Sequence, residues 1–166
     1  LGEGEITTLE TWSYEPLYVD ALSVNTMFDD FAVRGEDGAE IGSVENLIID
    51  DDAQVLALIA EVGGFWDIGD THVSVPWDQV EVAEGSLTVP LTEASVDDYS
   101  IFGHGGFFFD ETASSVARVD DDLETGLGIF KATDLIGDYA YLTGDARYGY
   151  VYDLLIQDGE LTSVVV

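Results

Sequence analysis

The chain has 166 residues, 46% apolar and 11% aromatic, enough to fill one or two compact cores and unlike a disordered acidic tail. Thirty-five acidic side chains face only Arg34, Arg118, Lys131 and Arg147, for a formal net charge of -31. Four scattered cations cannot displace the counterions of a phosphate backbone, so nucleic acid is an implausible partner, and anionic membranes are disfavoured for the same reason.

The absence of cysteine removes disulfides, thiol catalysis and thiolate metal sites. The longest aliphatic runs reach about a third of the roughly 20 residues that span a bilayer. So large a charge implies self-repulsion at low ionic strength, which salt near seawater strength screens within several ångströms. A saline external setting and plain solubility both account for it. The chain begins at Leu1, as a product with its export signal removed would, and a periplasmic, cell-surface or secreted bacterial location is expected.

Residues 1–20 carry Trp12, Tyr14 and Tyr18, too aromatic for an idle tail, and are expected to dock on a core or to supply a strand. From Phe31 the pattern is β: an acidic glycine turn at Gly35 to Gly38, a run from Ile41 to Ile49, a turn at Asp50 to Asp52, then Val55 to Val62. Gly63 and Gly64 break that run, Val73 and Val75 restart the alternation, and Leu87 to Leu91 forms a last strand after a turn at Glu84 to Ser86. Residues 21–92 therefore read as one closed antiparallel unit of five or six short strands. Residues 93–131 form a connector holding the glycine-aromatic stretch Phe102 to Phe109 and the acidic cluster Asp120 to Asp122.

Residues 132–166 repeat the opening hairpin of that unit. Ile41 to Ile49 aligns with Tyr148 to Ile156. An acidic turn follows each, and then an aliphatic strand, Val55 to Ala60 in the first copy and Leu161 to Val166 in the second. The second turn is one residue shorter, so Ala60 aligns with Val166. The second copy thus spans half a barrel, whose open edge is expected to be covered by a continuing chain, another segment or another subunit.

The residues GAEIGSVENLIID at Gly38 to Asp50, VLALIAEVGGFWDIGDTHVSVPWDQV at Val55 to Val80 and LTVPLT at Leu87 to Thr92 resemble, in that order, the PRC-barrel family. This is the β-barrel shared by the cytoplasmic domain of the photosynthetic reaction-centre H subunit and a ribosome maturation factor. The run from Gly63 to Trp77 is its most specific part. The chain looks most like exported bacterial proteins that carry the module once or twice. The resemblance implies an all-β fold of small barrels in tandem, the second incomplete, and a tendency to serve in binding and assembly, with no catalytic residues.

Elementary packing accounts for the motif. Gly42 and Gly149 permit close backbone approach, Gly63, Gly64 and Gly69 permit a bulge or turn, and Phe65, Pro76 and Trp77 shape and flank a small barrel. His72 and His104 are the only histidines and match no zinc spacing, and no G-x-S-x-G elbow occurs. No cofactor and no enzymatic activity are expected. Hard oxygen ligands are plentiful, so calcium is the candidate cation at Asp50, Asp51 and Asp52 and at Asp120, Asp121, Asp122 and Glu124, though neither group fits an EF-hand loop. The expected role is a non-enzymatic module binding a protein partner or itself as a homo-oligomer or filament; the alternative is an acidic cation-binding or salt-adaptation protein.

Overall fold

The computed structural model describes residues 18–63, 71–98, 115–119 and 123–166. The N-terminal aromatics Trp12 and Tyr14, the segment holding Gly64, Phe65 and Gly69, the stretch Phe102 to Phe109 and the cluster Asp120 to Asp122 lie outside them. In chain order the first elements are β1 (Leu22–Ser23), α1 (Val24–Asp30), β2 (Ala32–Arg34), β3 (Glu40–Asp50), β4 (Val55–Val62) and β5 (Thr71–Pro76). A 3-10 turn at Trp77–Gln79 leads to β6 (Glu81–Ala83) and β7 (Ser86–Thr88), and a second 3-10 turn spans Glu93–Asp98. Then come β8 (Ala117–Val119), β9 (Ile129–Lys131), α2 (Ala132–Leu135), β10 (Tyr139–Leu142), β11 (Ala146–Tyr150), β12 (Asp153–Gln157) and β13 (Glu160–Val165). The chain is predominantly β, as expected.

Two expectations need correction. The main sheet runs β6-β7-β2-β3-β4-β5-β8, with β9 also on β3, and strand pairing among the described residues does not close it into a barrel. Nor is it wholly antiparallel, because β7 crosses over to lie parallel to β2, with Val33 opposite Leu87. The strand expected to reach Leu91 stops at Thr88, just before Pro90, a residue with no amide to donate. The short helices α1 and α2 carried no periodic signal.

Why β3 and β4 lose their alternation is visible in the packing. Leu47, Ile49, Leu58 and Ala60 enter the main core, whereas Ile48, Ala57 and Ile59 enter a smaller cluster with Val119 and Ile129. A strand covered on both faces needs apolar residues at every position. The smaller cluster is built with residues on either side of the acidic segment 120–122, so part of residues 93–131 adds strands to this sheet. A methyl group at Gly42 would lie 1.9 Å from the Glu61 carbonyl oxygen, so β3 and β4 approach as closely as they do only with glycine there.

The run aligned with β3 is split in the second copy, because β11 pairs with β10 while β12 pairs with β13 and β1. What emerges is a reciprocal exchange. Strand β1 lies on β12, with Leu22 opposite Ile156 and Ser23 opposite Leu155. Strand β9 lies on β3, with Phe130 opposite Ile49 and Lys131 opposite Ile48. Under the repeat alignment these pairs are equivalent, so each strand-helix segment rests on the hairpin of the other copy.

Aligned polar side chains fasten both ends of the exchange. Asp153, 2% exposed, accepts hydrogen bonds from the Ser23 hydroxyl (2.6 Å), the Asn25 amide in the first turn of α1 (3.1 Å) and the Leu154 amide (2.8 Å). Its counterpart Asn46 accepts from the Leu47 amide (3.0 Å) and from the Thr133 amide in the first turn of α2 (3.3 Å), and donates to the Thr133 hydroxyl (2.7 Å). Between them, Gln54 and Glu160 form an isolated bridge; the Val55 amide donates to the Gly159 carbonyl and the Leu161 amide to the Ala53 carbonyl. Those are again aligned positions, so the two hairpins meet about a local twofold.

Leu154 and Ile156 are buried in the same core as Val24, Met27 and Leu47. A two-stranded hairpin is marginal in water, and each such side chain contributes about 1.5–3 kcal/mol when buried, so β12–β13 depends on the first unit for its stability. Replacing Asp153 with Ala strands three donors, and urea unfolding should show a loss of about 2–3 kcal/mol, with Asp153→Asn between it and the parent. A loss below about 0.5 kcal/mol would mean that apolar contacts alone hold the exchange.

Candidate functional site

The hairpin β10–β11 is a two-stranded sheet of its own. It is anchored at its base, where the Gly137 amide donates to the Val151 carbonyl and the Val151 amide to the Asp138 carbonyl. Tyr141, Tyr148, Tyr150 and the following Tyr152 are 57%, 66%, 57% and 69% exposed, with Leu142 exposed beside them. Val166, itself partly exposed, touches the strand at Gly149, where an added methyl would lie 2.6 Å from its Cγ1. Exposed aromatics clustered in this way mark interaction surfaces more often than isolated ones do.

The cluster is ordered by its own contacts. Tyr139 stands opposite Tyr150 with ring centroids 4.3 Å apart, their hydroxyls share a hydrogen bond, and the Arg147 guanidinium lies 3.7 Å from the Tyr139 ring centroid. Such stacking and cation–π contacts fix rings before any partner arrives. In the first copy the equivalent strand β2 has β7 along its outer edge and buries Val33 completely. Among the described residues no strand takes that place beside β10.

The acidic turn is accounted for locally. One Asp50 carboxylate oxygen accepts from the amides of Asp52 (3.0 Å) and Gln54 (2.8 Å), an arrangement that holds the turn. The Asp51 amide donates to the Gly128 carbonyl (2.9 Å), which brings the segment after the second acidic cluster alongside the first. Asp52 and Glu124 are exposed. Of the family-motif residues, Gly63 takes a left-handed backbone (φ 98°), Pro76 ends β5, and the Trp77 indole packs on the turn of the second hairpin, where a methyl at Gly159 would meet its nitrogen at 2.8 Å.

A different group does converge. Glu45, Glu61 and His72, from β3, β4 and β5, offer ligand atoms all within 4.8 Å of one another. Chain spacing gave no hint of this, since only strand register brings the three together. The tyrosine face, by contrast, is written in the sequence as aromatics at every second position from Tyr148 to Tyr152.

Residues 28–96 match the family model of the PRC-barrel domain. The match begins and ends a few residues later than the 21–92 expected and covers less than half of the chain. A search of curated proteins finds no match. PRC-barrel domains are generally non-catalytic and often mediate protein interactions. The tyrosine face lies outside the matched stretch, on the second hairpin pair.

The hydrogen bond shared with Tyr139, and secondarily burial, raises the Tyr150 hydroxyl above the ordinary tyrosine range. A raised acid favours folding in its neutral form, so this contribution holds below the ordinary range and is lost as pH rises through the raised value. Ultraviolet titration should find one tyrosine ionising after the others, and Tyr139→Phe should bring it back. A late-ionising tyrosine that persists unchanged in Tyr139→Phe, or none in the parent, would mean that the hydroxyl pair does not form in solution.

Proposed function

We propose that this chain is a non-enzymatic assembly module, exported into saline surroundings, which associates with a second copy of itself through the tyrosine face of β10–β11. The observation that carries the reading is that face: ordered by its own ring contacts, exposed and aromatic, on a hairpin whose β10 edge no described strand pairs with. Tyrosine supplies broad contact area at low entropic cost and both donates and accepts hydrogen bonds, so a face built from it can complement its own image across a twofold.

Charge supports the external, salty setting and sets the condition for assembly. Two copies at -31 each repel strongly in dilute buffer. At roughly 0.15 M salt the screening length falls to about 8 Å, and only groups near the contact still feel one another. Association is therefore read as salt-promoted, opposite in sign to an interface held by ion pairs.

Light scattering on the full-length protein at low and high salt tests this. Dimers or larger species are expected at high salt, and Tyr141→Ser combined with Tyr148→Ser should weaken association by about tenfold or more, as for interface hot spots. A strict monomer at both salt concentrations removes self-assembly, and leaves the face to a different protein.

A further inference from the structure

We propose that Glu45, Glu61 and His72 bind a first-row divalent transition metal ion, Zn2+ fitting best, on the outer face of β3–β4–β5. The site is separate from the tyrosine face and does not rest on the assembly reading. Glu61 stands directly opposite His72 on β5 and Ser43 on β3. Glu45 arrives by a β-bulge: Val44 pairs with Ala60 and Asn46 with Ile59, leaving Glu45 between them unpaired. In an unbulged strand residue 45 would stand opposite Ile59. The bulge gives that place to Asn46, whose amide secures α2, and leaves a Glu45 carboxylate oxygen within 4.8 Å of ligand atoms of Glu61 and His72.

The surroundings suit a cation. Glu61 and His72 are half-buried beside the apolar pair Ile59 and Val119, while Glu45 is exposed and provides an entry side. On the same face, two residues along β5, the fully buried Ser74 hydroxyl has no hydrogen-bond partner among the described residues. The field of a chain at -31 concentrates cations at its surface.

The donor set selects among them. One imidazole and two carboxylates match the mixed nitrogen and oxygen preference of zinc and its neighbours, whereas calcium takes six to eight oxygens. Three protein ligands leave a coordination position for water. The ion would tie together three strands of the first unit. Its second-copy counterpart is missing, since Tyr152 aligns with Glu45.

The test is calorimetric titration of the full chain with Zn2+ in high salt and excess Ca2+, which occupies the diffuse acidic surface. One site per chain is expected, abolished by His72→Ala and kept by His104→Ala. Glu45→Gln should weaken it by about 100-fold or more, beyond the roughly 10- to 100-fold that outer-shell changes produce. Equal Zn2+ uptake by the parent and His72→Ala, or complete displacement by Ca2+, overturns the proposal. Should His72→Ala fail to fold, the exposed Glu45→Gln variant decides: unchanged affinity overturns it as well.

Discussion

The buried carboxylate of Asp153 is the constraint on which the arrangement of the second hairpin depends. Burying a charge is costly unless hydrogen bonds answer it, and here a hydroxyl and two amides do so. Two of those donors belong to Ser23 and Asn25, 130 and 128 residues away in the chain. The bond therefore does more than cap a helix: it decides which helix the hairpin will hold. Asn46 makes the equivalent choice for α2 with a neutral amide.

The reciprocal exchange joins the unit that holds the PRC-barrel match and a marginal hairpin into one core. Leu154 and Ile156 fill it from one side and Leu47 and Ile49 from the other, at aligned positions. With β12 and β13 committed to that core, the remaining hairpin β10–β11 projects from its base with its aromatic side chains uncovered. A direct consequence of β3 geometry is the bulge at Glu45, which serves both the helix fastened by Asn46 and the convergence with Glu61 and His72.

Much of the first unit was legible in one dimension. The positions of β3, β4 and β5, and the glycine turns between them, follow from apolar runs and turn residues that act over a few residues. The parallel placement of β7 beside β2 was not legible, because parallel pairing depends on a crossover whose path leaves no local pattern. The helices escaped notice for a related reason. Seven and four residues are too few to show a period, and their first turns are fastened by residues from the opposite copy.

The sequence by itself determined the β class, the PRC-barrel resemblance, the repeat of the hairpin and the acidic surface, since each is a property of neighbouring residues or of their sum. Only the tertiary structure decided that the copies exchange their strand-helix segments, that Asp153 and Asn46 are buried fasteners, and that Glu45, Glu61 and His72 meet. Those outcomes rest on strand register and on hydrogen bonds between residues far apart in the chain, and a one-residue slip in register would send each side chain to the other face.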